Sequence, residues 1–119
     1  MKIEIRSTVH PWYKGTHEWR VKAIAKLQQP IQYPDPIQGE VSYDPKILLL
    51  GSEKLSKVLW FTYQMATTKT GGKMRWGQGS PMLEQSVLLN LLKEAIKQGF
   101  FTKDVLKELA NEVDEALNK

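Results

Sequence analysis

Along residues 2 to 9, "KIEIRSTV", apolar and polar positions alternate: Ile3, Ile5 and Val9 fall on one side and Lys2, Glu4, Arg6 and Thr8 on the other. A period of two is the signature of a half-buried strand. The same pattern returns in "EWRVKAIAKLQ" (18 to 28), where Trp19, Val21, Ala23, Ala25 and Leu27 alternate with Arg20, Lys22 and Lys26. Strand periodicity puts these cations in one solvent-facing row and assigns Trp19 to the core. The connection "HPWYKGTH", with Pro11 and Gly15, has the turn chemistry to close an antiparallel pair.

Residues 29 to 45, "QPIQYPDPIQGEVSYDP", hold four of the six prolines. Each proline removes a backbone donor and fixes its own torsion, so this stretch is expected to be a long ordered excursion without regular structure. "KILLL" (46 to 50) then reads as a short buried strand ended by Gly51. In the next segment, Leu55, Val58, Leu59, Thr62, Met65 and Ala66 recur at helical spacing behind Ser52, a residue suited to an N-cap. We therefore expect a helix over 52 to 67, although "VLWFTY" is rich in residues that favour strands.

Two helices end the pattern. Ser80 as N-cap, Pro81 at the first helical position and Gly99 past the end delimit a helix from 81 to 98, whose Leu83, Val87, Leu88, Leu91, Leu92, Ala95 and Ile96 cover a wide apolar arc. Thr102 caps a last helix to about Leu117, with Leu106, Leu109, Val113 and Leu117 as its inward stripe. So short a link predicts adjacent, antiparallel helices. The expected fold is a single α+β domain over residues 1 to 119: a small antiparallel sheet of N-terminal strands packed against a C-terminal helical hairpin.

Composition narrows the function. At 119 residues with 41% hydrophobic and 25% charged positions, the chain has an ordinary globular mix. No apolar run approaches the ~20 residues that span a bilayer, and the start has no signal-peptide core, so an intracellular, cytoplasmic protein with no membrane partner is expected. The absence of cysteine excludes disulfides, thiolate nucleophiles and Cys-ligated metal sites. The net charge of +4 is uneven: residues 1 to 79 hold 12 Lys/Arg against 6 Asp/Glu, and residues 80 to 119 hold 5 against 7. A basic N-terminal part suits an anionic partner.

The richest concentration of chemistry is "TKTGGKMRWGQGSP" (68 to 81). It is not a phosphate loop of the Walker type, because that pattern needs Gly where Thr67 stands and Ser or Thr where Met74 stands. A dinucleotide-binding fingerprint fails too, since Gly77 and Gly79 have no third glycine opening the helix. What remains is a set of backbone donors ahead of a helix start, with Lys69, Lys73 and Arg75 beside them and Trp76 able to stack on a base. "HPWYKGTHEWR" interleaves aromatics with basic groups in the same way, Trp12 and Tyr13 being its surface candidates beside the cation of Lys14. Its histidines, His10 and His17, have only Glu18 nearby, too few for a zinc site or a nucleophile-base pair.

Pro34-Asp35 followed by Asp44-Pro45-Lys46 is similar to the Pro-Asp, acid-x-Lys arrangement of restriction-type nucleases, in which two acids hold a divalent metal. Pro45 stands where that pattern wants a residue able to pair. The leading expectation is therefore a small basic, non-catalytic nucleic-acid-binding domain, for DNA or RNA, using Trp12, Lys14, Arg20, Lys22, Lys26, Lys69, Lys73, Arg75 and Trp76, with no cofactor and no metal. A homo-oligomer is compatible with it. The rival from another class is a protein-interaction or assembly subunit; a metal-dependent nuclease using Asp35, Asp44 and Lys46 comes third.

Overall fold

A computed structural model describes residues 2–7, 15–51, 57–77 and 81–119, with the side chains of 2–7 and 15–18 left aside. Its strands are β1 Lys2–Ser7, β2 Gly15–Lys26, β3 Ile31–Asp35, β4 Gly39–Gly51, β5 Val58–Thr67 and β6 Arg75–Trp76; the helices α1 Gln85–Lys97 and α2 Lys103–Leu117 follow. All pairings are antiparallel, in the order β1-β2-β4-β5-β6, with β3 also on β4. The expected α+β class holds.

β4 is the spine. Along one edge it pairs with β3 from Gly39 to Tyr43 and then with β2 from Lys46 to Gly51, while β5 runs along the other edge from Val41 to Leu50. Pro45 sits at the exchange of neighbours, where the ladder is already broken on one side. Pro34 lies in the edge strand β3, which needs fewer donors, and Pro36 in the turn to β4. Residues 29 to 45 are therefore largely strand, not an irregular excursion: each proline occupies a site at which a sheet tolerates one.

Residues 58 to 67 are likewise strand and not helix; positions 52 to 56 lie outside the described residues. Leu59, Phe61, Tyr63 and Met65 pair across from Leu49, Ile47, Pro45 and Tyr43 on one face, and Val58, Trp60, Thr62 and Gln64 across from Leu50, Leu48, Lys46 and Asp44 on the other. Both faces carry apolar groups, which hides the period of two.

The two faces have separate cores. On one, Ala25, Ile47, Leu49, Leu91, Ala95 and Phe100 are buried together, with Leu59, Leu83 and Leu92 packed against them. Here α1 lies on β2 and β4. Ala23 and Ala25 let the helix approach the sheet, and Gln98 donates from its side chain to the carbonyl of Ile24 at 3.0 Å. On the opposite face Trp19, Leu48 and Leu50 are buried beside Val21, Ile24, Val58 and Trp60. Trp19, 1% exposed, is the core residue its alternation indicates.

One strand serves both cores because β2 slips register between Val21 and Ala23. Val21 pairs with Leu50 and Ala23 with Leu49, so Lys22 is the extra residue of a bulge. Trp19 and Val21 therefore face one way, and Ala23 and Ala25 the other.

α1 begins at Gln85, four positions past Pro81, with Glu84 as N-cap and no side-chain cap; Ser80, the expected cap, lies outside the described residues. The stop is as expected. Gly99 adopts φ +78°, its N–H donates to the carbonyl of Ile96, and that of Phe100 donates to Ala95. This is a Schellman ending, and buried Phe100 against Ala95 is its apolar contact. Thr102 caps α2 as expected, accepting from the N–H of Val105 at 3.3 Å. The packing differs, however: among the described residues α2 buries none of its side chains and lies against no other element, so α1 alone backs the sheet.

Candidate functional site

The glycine-rich stretch is an ordered hairpin between β5 and β6. Gly72 donates to Thr67 (3.0 Å), Gly71 to Thr68 (3.1 Å) and Lys73 to Thr70 (3.4 Å). Thr70 Oγ1 accepts from the N–H of Thr67 at 2.9 Å and lies 3.0 Å from the Thr67 carbonyl and 3.1 Å from that of Lys73. Gly71 and Gly72, at φ +68° and +79°, supply the left-handed backbone this turn requires. The glycines thus build a tight turn that projects Lys69, Lys73 and Arg75 into solvent.

That turn is locked to its neighbour between β3 and β4. Thr68 exchanges bonds with Glu40, its N–H donating to the Glu40 carbonyl at 3.2 Å and its Oγ1 accepting from the Glu40 N–H at 3.0 Å. Asp35 Oδ1 accepts from the N–H groups of Gln38 and Ile37, both at 2.9 Å. These bonds, that from Gln38 foremost, hold the Asp35 carboxyl below its usual range, with Lys69 adding a smaller pull.

Trp76 pairs with Gln64 at the sheet edge and stacks on Trp60, ring centroids 5.9 Å apart and planes 24° from parallel. Trp76 remains 37% exposed, so its outer surface is available while its position is fixed. Gly77 completes the placement: its N–H donates to the Tyr63 carbonyl at 2.9 Å, and the Tyr63 ring occupies the space a side chain there would need. Among the described residues, ion pairs join Lys46 to Asp44 and Lys97 to Glu94, and none involves Lys69, Lys73 or Arg75.

The other expected cations do not join this group. Arg20 pairs with Gly51 at the far end of β4, ten positions from Val41, or roughly 33 Å along the strand. Lys22 occupies the bulge and crosses Gly51. Lys26, opposite Lys46, points to the face that carries Trp60 and Trp76. The single row expected from alternation is therefore split by the bulge. Trp12 and Lys14 lie outside the described residues. The helix start contributes no anion site either, since the Glu84 carboxylate stands at the N-cap.

Asp35 and Asp44 fall on opposite faces, Asp35 opposite Gly39 and Asp44 opposite Gln64. Lys46 Nζ lies 2.5 Å from Asp44 Oδ2 in a pair with side chains 8% and 13% exposed. The acids cannot share a metal, and among the described residues no cluster of metal-ligating side chains occurs. The nuclease-like arrangement is thus a turn cap and a buried ion pair.

Sequence reasoning missed a groove of about 560 Å³ beside the start of α1, lined by Tyr33, Tyr43, Tyr63, Met65, Met82 and Glu84 among others. Tyr43 and Tyr63 touch at 4.9 Å. Burial, reinforced by the two neighbouring tyrosines, raises the Tyr43 phenol above its usual range. Its signal, one tyrosine on each of β3, β4 and β5, was hidden by the prolines and the helical reading.

The molecule is thus a mixed sheet-and-helix domain with a cationic aromatic hairpin at one sheet end. Compared with protein-family models, curated proteins and solved structures, the chain matches none. Among the described residues no helix is long and apolar enough to cross a membrane.

Proposed function

We propose that the protein is a non-catalytic nucleic-acid-binding domain whose contact surface is the β5–β6 hairpin. The observation that carries this reading is the grouping of exposed Lys69, Lys73, Arg75 and Trp76 on one hydrogen-bonded hairpin, with Trp76 held against Trp60. Phosphates engage the three cations and an unstacked base lies on Trp76, which favours a single strand. Arg20 and Lys22, at the far end of the sheet, leave the reduced site.

Anisotropy titration of a labelled single strand tests it. At about 0.7 released ions per contact, removing all three charges (Lys69→Ala, Lys73→Ala, Arg75→Ala) lowers the slope of log affinity against log salt by about 2. Trp76→Ala weakens binding by ~1 to 3 kcal/mol and leaves the slope unchanged. No binding of either single- or double-stranded nucleic acid at about 50 mM salt refutes the reading. A protein-interaction role is favoured by a separate observation, the exposed apolar stripe of α2.

A further inference from the structure

Val105, Leu109, Val113 and Leu117 are 44%, 46%, 56% and 78% exposed and follow one another at intervals of four on α2. A 15-residue helix that packs on nothing is marginal in water, because helices in proteins owe most of their stability to burial of an apolar face. The stripe therefore requires a cover. Phe100 is locked in the core and the Schellman turn at Gly99 fixes the exit of the chain, so α2 leaves its own α1 uncovered.

α1 carries a complementary stripe. Leu89 and Ile96 lie two turns apart on its outer surface, 52% and 46% exposed, on the side away from Leu91 and Ala95. Lys93 and Lys97, one turn apart, run along the flank of that stripe. On α2 the flank is acidic: Glu108, Glu112 and Glu115 follow each other at helical spacing, and the helix as a whole holds two lysines against five acids. Apolar stripe and charge both match between the two helices, and within one chain they do not meet.

We infer that two copies of this chain associate by exchanging α2, each laying its Val105–Leu117 stripe over Leu89 and Ile96 of the other, with Lys93 and Lys97 against Glu108 and Glu112. Such an arrangement is closed and two-fold, so the same contact is made twice. It restores between chains the helix pairing that the short link suggests within one.

Sedimentation of the full chain gives a dimer, and Leu109→Asp with Val113→Asp gives a folded monomer whose sheet is intact by circular dichroism. Specificity comes from a charge exchange. One chain carries Lys93→Glu with Lys97→Glu, the other Glu108→Lys with Glu112→Lys. Each alone places like charges at both contacts and dimerises at least tenfold more weakly than the unmodified chain; mixed, they form a heterodimer with both contacts matched. A chain monomeric at about 100 µM, a dimer indifferent to Leu109→Asp with Val113→Asp, or charge variants that fail to recover on mixing each overturns the inference.

Discussion

Leu91 is the side chain through which α1 grips the sheet, and its truncation has a calculable effect. It is 1% exposed and clusters with Ala25, Ile47, Leu49, Ala95 and Phe100. Leu91→Ala removes three carbons, a transfer loss of about 2.4 kcal/mol at ~0.8 per buried methylene. Neighbours on a paired sheet and on a capped helix close only partly into the space. A residual cavity of roughly 40 Å³ adds ~1 kcal/mol at about 24 cal/mol per Å³, for a total of ~3 to 4 kcal/mol. Asn90, one position earlier and exposed, is the control: Asn90→Ala leaves no cavity and costs about 1 kcal/mol or less. Urea denaturation followed by tryptophan fluorescence measures both, at one protein concentration because the outer stripe is the proposed association surface. A Leu91→Ala effect below about 1 kcal/mol, or equal effects at both sites, refutes the placement of α1.

Lys46→Met leaves Asp44 nearly buried without its cation and costs about 3 kcal/mol in the same assay, whereas Lys46→Met with Asp44→Leu is close to neutral, since a pair is replaced by packing. The same separation of Asp35 from Asp44 means that magnesium or manganese elicits no cleavage of DNA or RNA, checked on a labelled duplex and single strand. Asp35 has a folded pKa below its unfolded one. Its contribution is therefore full above the unfolded value near 3.9, falls as the pH drops through the folded value, and vanishes in Asp35→Ala; the carboxyl chemical shift against pH reports it.

What the sequence shows clearly is whatever one local pattern dictates. Thr102 and Gly99 mark helix ends through their own backbone chemistry, and Trp19 is placed by alternation. The strand over 58 to 67 is obscured because Trp60 and Val58 serve one core and Leu59 the other, so neither face reads as polar. A bulge such as that at Lys22 has no local signature, and one slipped residue was enough to scatter a row of cations that looked continuous. The prolines misled for the opposite reason: the rule that they interrupt ladders is sound, but edges and breaks between neighbours are properties of topology. At the site, the cations and Trp76 of the hairpin were legible as composition. Its placement was not, because it depends on Trp60 and Glu40, far away in sequence.

The exchange of neighbours on β4 at Pro45 divides the sheet into unequal halves. On the β2 side both apolar clusters and α1 hold the strands from two faces; on the β3 side the paired turns rely on hydrogen bonds and on partly covered aromatics. Amide protons around Thr67 to Lys73 are accordingly expected to exchange through local opening, at a free energy well below that of global unfolding, while those of Ile47 to Leu50 exchange only when the whole molecule unfolds. A strand of nucleic acid closed over the hairpin would slow the first set and leave the second untouched, so its footprint would be written in exchange rates and not in a change of shape.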